Sequence, residues 1–171
     1  MCRSSHSNGR PSQKPYHEQV IVVPCQPSES RLMSRRNRAR EVALQILFED
    51  DVNPRKSVTD FQQFVASRLK SPELEKFAIS LIQGVRRNQA ELDTLLEKTA
   101  DNWSLPRMAT TDRNVLRLGA FEILFTETPD RVAINEAVEL AKRFGSGNSA
   151  PFVNGILDKF LHREDDNQPS S

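Results

Sequence analysis

Apolar residues recur at intervals of three and four along most of the chain after residue 33. This spacing places them on one face of an α-helix, whereas the alternation typical of strands is nearly absent. In the first such segment the apolar stripe consists of Ala39, Val42, Ala43, Ile46 and Leu47. The pattern predicts an all-α fold whose first helix spans about Ser34 to Asp50.

Prolines and small polar residues separate the later helical segments. Ser71-Pro72 is a strong signal for a helix stop followed by a new start, and Gly145 is a natural residue to end a helix. The second predicted helix begins near Ser57. The next three span about 72–100, 112–126 and 131–144, and the last begins at residue 148 or 149. Residues 102–106 form a linker or a short helical turn.

The segment 112–126 is apolar around almost its whole circumference, which is typical of a helix at the centre of a bundle. The connections between segments are short, and short connections favour antiparallel neighbours. We therefore expect a bundle of about seven helices in two subdomains that divide near Trp103.

The two ends of the chain differ from this pattern. Residues 1–33 are rich in Ser, Pro and Gln, and their only apolar run is Val20 to Val23, so we expect a disordered tail. Met33 is an alternative start of the chain, as a hypothesis. Residues 163–171 are expected to form a second tail, which leaves a folded domain over 34–162.

Both cysteines, Cys2 and Cys25, fall in the first tail. The predicted domain thus has no disulfide framework, which fits a reducing, cytoplasmic compartment. No apolar run reaches the roughly 18 residues that a membrane span needs, so no membrane contact is predicted.

The residues give little support for catalysis. Two of the three histidines lie in the tail, and His162 has no second metal ligand at a suitable spacing. Glu136 and Glu139 lie three positions apart and suggest a carboxylate pair. We interpret them instead as partners of Arg113, Arg117 or loop amides. No enzymatic activity, metal or cofactor is predicted.

The start of the first predicted helix carries a cluster of positive charge: Arg35, Arg36, Arg38 and Arg40. A helix N-terminus disfavours exposed cations by roughly 0.3–1 kcal/mol each, so the cluster is expected to serve something other than helix stability. The net charge of the chain is only +1, which makes any nucleic-acid site a local patch. We interpret the cluster as a site for the phosphates of RNA or single-stranded nucleic acid, and a solvated charged face is the alternative.

Four segments carry a family resemblance, in the same order as in the family. They read RRNRAREVALQILFED, TTDRNVLRLGAFEIL, VAINEAVELAKRFG and FVNGILDKFL. Together they resemble the signatures of the NusB family of bacterial transcription antitermination factors, over about Ser34 to His162. The resemblance implies a NusB-like helical bundle without enzymatic activity. It also implies binding of boxA RNA from ribosomal RNA leaders, as a heterodimer with the small-subunit ribosomal protein NusE, in the RNA polymerase antitermination complex.

The resemblance assigns roles to individual residues. The implied RNA-binding residues are Arg35, Arg36, Arg38, Arg40, Phe48, Asn148 and Phe152. The implied contacts with the partner protein come from Phe48, Asp112 and Arg113. Asn37 stands where the family often has arginine, and Asn148 replaces an acidic residue, a change that favours RNA. From the residues alone, packing in the core is the favoured interpretation of both Phe48 and Phe152.

Two alternatives remain open. The chain is either a protein adaptor that never touches RNA, or an RNA-binding accessory domain like the one that precedes the catalytic part of some ribosomal RNA cytosine methyltransferases. The second alternative needs a Rossmann-type domain after the helices, and this sequence ends at Ser171. The free protein is either a monomer or a homodimer.

Overall fold

The computed structural model describes residues 29–53, 61–100 and 104–166, and these ranges contain helices and no strand. The helices are α1 (Glu29–Val52), α2 (Phe61–Leu69), α3 (Pro72–Thr99), α4 (Thr110–Phe125), α5 (Asp130–Phe144) and α6 (Ser149–Asp166). A short 3-10 turn, Leu105–Arg107, precedes α4. Six α-helices and this turn agree with the predicted all-α bundle of about seven helices.

Helix α4 is the centre of the bundle, because it packs against α1, α3, α5 and α6. Its side chains are buried on all sides over most of its length. The sequence prediction of a central helix is confirmed. Helices α1, α2 and α3 form one group, α5 and α6 form the other, and one continuous apolar core joins them through α4.

Two glycines allow the helices around α4 to approach closely. A Cβ atom added to Gly84 of α3 would lie 2.0 Å from the ring of Phe121, so the absence of a side chain makes room for that ring. A Cβ atom at Gly119 of α4 would lie 2.7 Å from Leu157 of α6. Both glycines are therefore explained by packing rather than by backbone flexibility.

Helix α1 begins at Glu29, earlier than the predicted Ser34, and α4 begins at Thr110 rather than at Asp112. The apolar stripe of α1 starts only at Ala39, so periodicity gives no signal for the turns before it. Residues 29–33 include Glu, Arg, Leu and Met, which have high helix propensity. The arginines consequently lie beyond the first turn of α1, where the unfavourable effect of the helix dipole has faded. The expectation that these arginines are unfavourable for the helix, because of its dipole, is therefore wrong.

Two other helix boundaries lie at the residues predicted from the sequence to be stop and start signals. Ser71 occupies the N-cap position of α3 with Pro72 after it, although its hydroxyl makes no capping hydrogen bond. Gly145 ends α5 as expected. The predicted start of α2 near Ser57, the division near Trp103, and residues 1–28 and 167–171 of the two predicted tails lie outside the described residues. The remaining residues of those tails, 29–33 and 163–166, belong to α1 and α6. The domain limits 34–162 stay a prediction.

Candidate nucleic-acid interface

The arginines of α1 separate into an exposed set and one buried member. Arg35, Arg36 and Arg38 are exposed, whereas Arg40 is only 3% exposed. The three exposed residues lie where α1 passes the start of α3 on one side and the end of α5 on the other.

Arg40 forms an internal ion pair. Its Nε and Nη2 atoms donate to the two carboxylate oxygens of Glu122 in α4, at 2.8 and 2.7 Å. Its Nη1 atom donates to Glu136 of α5 at 3.3 Å. The predicted exposure of Arg40 is wrong, because two carboxylates that are distant in the sequence draw its guanidinium into the bundle. A direct contact between Arg40 and RNA is not compatible with this burial.

Glu136 lies beside this buried pair. Burial raises the pKa of Glu136, the positive charge of Arg40 opposes that shift, and the negative charges of Glu122 and Glu139 add to it. Glu139 itself pairs with Lys142 at 2.6 Å. The interpretation of Glu136 and Glu139 as partners of Arg113 or Arg117 is therefore wrong, since their ion-pair partners are Arg40 and Lys142.

Arg35 and Arg36 lie on the side of α1 that faces α3. The guanidinium carbon of Arg36 is 5.2 Å from the centre of the Phe77 ring, and that of Arg40 is 5.3 Å from it. Arg35 reaches the hydroxyl of Ser71 at 3.5 Å. Contact with an aromatic ring orients Arg36 but leaves its guanidinium N–H groups able to bind an anion.

Arg38 lies on the side of α1 that faces α5 and shares a carboxylate with a residue of that helix. Its Nη1 atom donates to Glu41 Oε2 at 2.7 Å, and Arg143 Nη1 donates to Glu41 Oε1. Glu41 is buried, while the side chains of Arg38 and Arg143 are 46% and 62% exposed. Arg143 extends the exposed positive charge of α1 to α5.

We call the exposed residues Arg35, Arg36, Arg38 and Arg143 the arginine face. Sequence reasoning missed Arg143. Its only signal is that it follows Lys142 in the last turn of α5, where basic residues are common because they complement the helix dipole.

The turn after α5 brings Asn148 and Phe152 close to Arg143 along the chain. Asn148 is exposed, and Phe152 is half-buried and packs against the core. The turn is held by the hydroxyl of Ser149, which accepts a hydrogen bond from the amide of Ser146 at 2.8 Å. Phe152 is therefore partly a core residue and partly exposed.

Phe48 lies further along α1, away from the arginines of its start. Its side chain is 40% exposed, and Val52 and Phe144 beside it are also exposed. These residues line a largely apolar groove of about 380 Å³ between α1, the start of α4 and the end of α5. The full lining consists of Leu44, Gln45, Phe48, Glu49, Val52, Asn53, Thr111 and Phe144.

Asp112 and Arg113 follow Thr111 in the first turn of α4. Asp112 is 9% exposed, and its Oδ1 atom has no hydrogen-bond partner among the residues that the structure describes. Arg113 donates to Asp51 at 2.6 Å and to the carbonyl of Leu105 at 3.0 Å. Its guanidinium is thus already engaged within the fold.

A network of charges continues behind Arg113. Asp51 accepts hydrogen bonds from Arg113 and Asn114, and Arg117 is bidentate to Asp93 at 2.7 and 2.8 Å. Burial alone would raise the pKa of Asp51, but the hydrogen bond from Arg113 and the charges of Arg117 and Arg113 outweigh it and lower the pKa below its ordinary 3.8. This network fastens α1 and α3 to α4.

In the part of the chain that the structure describes, no group of three or more His, Cys, Asp or Glu residues is arranged to hold a metal ion. Among the same residues, no helix combines the length and apolar character of a membrane span.

The fold and the arginine face define a small helical protein with a basic edge beside an aromatic turn and a separate apolar groove. The model of the NusB family matches residues 37–162. The chain belongs to the NusB family, as the sequence resemblance indicated.

Individual relatives agree with this assignment. The transcription antitermination protein NusB of Desulfotalea psychrophila is 45% identical over 133 residues, which are 74% of this chain and 94% of that protein. The structure of T. maritima NusB has a TM-score of 0.66 at 36% identity, over 74% of this chain and 90% of that chain. A crystal structure of the antitermination factors NusB and NusE in complex with dsRNA has a TM-score of 0.68 at 28% identity, over 77% and 98% of the two chains.

Proposed function

We propose that this chain is a transcription antitermination factor that binds boxA-type RNA of ribosomal RNA leaders together with NusE. In this role it supports processive transcription of ribosomal RNA as part of the RNA polymerase antitermination complex. The observation that carries the proposal is the exposed set Arg35, Arg36 and Arg38 at one edge of a NusB-family fold. The proposed role is binding and involves no catalysis. Because bacterial transcription takes place in the cytoplasm, the proposed location of the protein is cytoplasmic.

The RNA site in this proposal lies on the exposed arginines of α1 and on the turn before α6. Guanidinium groups bind phosphate oxygens in pairs and stack on bases, so Arg35, Arg36 and Arg38 suit the backbone of an RNA strand. Phe152, which is half-buried beside this turn, is the aromatic residue of the proposed site for base stacking. Asn148 adds no negative charge beside that ring, which favours an anionic ligand. Arg40 supports this surface from inside the bundle.

The site for the partner protein lies along the groove that contains Phe48. An exposed aromatic side chain in an apolar groove is typical of an anchor residue at a protein interface. Asp112 follows Thr111 of the groove lining in the first turn of α4, which keeps it in the proposed site for the partner protein. Arg113 acts indirectly in this proposal, because its bonds to Asp51 and Leu105 fix the first turn of α4.

Measurement of RNA affinity with and without NusE tests this function. We expect the chain to bind a boxA RNA more tightly with NusE than alone, and we expect the affinity to fall steeply with salt because phosphate contacts release counterions. A scrambled RNA of equal length and composition is the control for sequence preference. Binding to NusE without any binding of RNA would favour the alternative of a protein adaptor, which the apolar groove also suits.

A further inference from the structure

We propose that Arg143 is an additional RNA-contacting residue and that Glu41 positions Arg143 and Arg38 as a paired clamp for phosphate groups. This inference rests on the proposed RNA-binding function and extends its site from α1 to α5.

The clamp is built on a single buried carboxylate. Glu41 is 3% exposed, and each of its oxygens accepts a hydrogen bond from a different arginine: Oε2 from Arg38 and Oε1 from Arg143. Arg38 comes from the same helix and Arg143 from the end of α5. The carboxylate thus fixes two guanidinium groups beside each other at the junction of two helices.

The charge of this cluster favours an anion. Two arginines and one glutamate sum to a net charge of +1, and a guanidinium has five N–H donors of which Glu41 engages one in each arginine. The remaining donors can bind phosphate oxygens. Without Glu41, the two positive groups would repel each other and separate, so the carboxylate creates the pair.

A comparison with Arg40 argues against a purely structural role for Arg143. The side chain of Arg40, which links α1 to α4 and α5, is 4% exposed, and its guanidinium is bonded on three nitrogens. The side chain of Arg143 is 62% exposed. An exposed ion pair adds little to the stability of a fold, because ordering a long side chain at the surface costs conformational entropy. Fastening α5 to α1 therefore does not by itself explain Arg143. Its exposure and its position just before the turn with Asn148 fit a ligand contact.

Substitution of Arg143 tests the contact. We expect Arg143→Ser to weaken binding of boxA RNA in the presence of NusE by roughly fivefold and to reduce the slope of log K against log salt by about 0.7, the value for one single-strand phosphate contact. Arg131→Ser is the matched control, since it removes the same charge from the exposed start of α5. Arg131 lies about 18 Å from Arg143 along the helix, which exceeds the Debye length of about 8 Å in physiological salt, so we expect a change below about twofold.

Substitution of Glu41 tests the positioning role by the sign of its effect. Glu41→Gln removes a negative charge, so simple electrostatics would strengthen RNA binding. If Glu41 holds the two arginines together, Glu41→Gln weakens binding instead, and Arg143→Ser then causes a smaller loss in that background than in the wild type. Circular dichroism verifies that both variants are folded before affinities are compared.

The outcomes separate this inference from the function on which it rests. If Arg143→Ser keeps the affinity and salt slope of the wild type while Arg36→Ser loses affinity, the clamp is refuted and RNA binding by α1 stands. Tighter binding by a folded Glu41→Gln variant refutes the positioning role. If the wild type itself fails to bind boxA RNA with NusE present, the proposed function fails, and the clamp fails with it.

Discussion

Arg40 and Glu122 form a bidentate ion pair, with distances of 2.8 and 2.7 Å, although 82 positions separate them in the sequence. The pair is buried and joins α1 to the central helix α4. It separates the arginines of α1 by position: Arg40 joins helices inside the bundle, whereas Arg35, Arg36 and Arg38 remain at the surface.

Loss of Arg40 should therefore reduce stability before it reduces RNA binding. We expect Arg40→Ala to lower the free energy of unfolding by about 3–5 kcal/mol, because Glu122 and Glu136 would stay buried without a compensating charge. Urea denaturation followed by circular dichroism measures this change. Arg36→Ala is the matched control on the same helix, with an expected loss below about 1 kcal/mol since the residue is exposed. Equal stability of the two variants would contradict the structural role of Arg40.

The charge network around Asp51 should make stability depend on pH. The pKa of Asp51 is lower in the folded state than its ordinary 3.8. Its ionised form is thus favoured by folding, and the stability it contributes is present above about pH 3.8 and is lost as the pH falls through the lowered pKa.

Asp51→Asn tests this dependence. We expect the variant to be less stable than the wild type at pH 7, with a gap that narrows as the pH falls below 3.8. Thermal unfolding at a series of pH values measures the gap. Glu127→Gln, at an exposed position between α4 and α5, controls for the loss of one negative charge. A gap that stays constant over the acidic range would show that the carboxylate of Asp51 is not the cause.

Phe48 should matter for the partner protein and little for folding. We expect Phe48→Ala to weaken NusE binding by about tenfold or more, as for an aromatic anchor at an interface, and to change the free energy of unfolding by less than about 1 kcal/mol. Isothermal titration calorimetry with NusE measures the affinity. Phe125→Ala is the control, because Phe125 is 43% exposed and Phe48 is 40% exposed. Phe125 lies at the end of α4, whereas Thr111, which lines the groove, lies at its start. Equal effects of the two substitutions would remove the groove from the proposed interface.

The course of the chain could be predicted well because helical periodicity depends on local sequence. Helix α4 illustrates this. Because it carries apolar residues on every side, it is stable only when other helices surround it at the centre of the bundle. The start of α1 could not be found in this way, because residues before Ala39 have no apolar stripe and extend the helix by propensity alone.

The arginines show why the site was harder to predict than the fold. Arg36 and Arg40 have the same side chain one helical turn apart, yet one is exposed and the other buried. The difference comes from Glu122 and Glu136, whose position opposite Arg40 depends on the packing of three helices. Arg143 was missed for the same reason, since its link to Glu41 arises only when α5 packs against α1.

In the proposed function, the exposed arginines of α1 bind RNA phosphates and the buried Arg40 does not. The most direct test is the salt dependence of boxA RNA affinity, with NusE present, for the wild type and for the Arg35→Ser/Arg36→Ser double variant. We predict that the double variant stays folded, binds more weakly, and shows a slope of log K against log salt that is smaller by about 1.4, the value for two single-strand phosphate contacts. An unchanged slope and affinity in the folded double variant would contradict the claim.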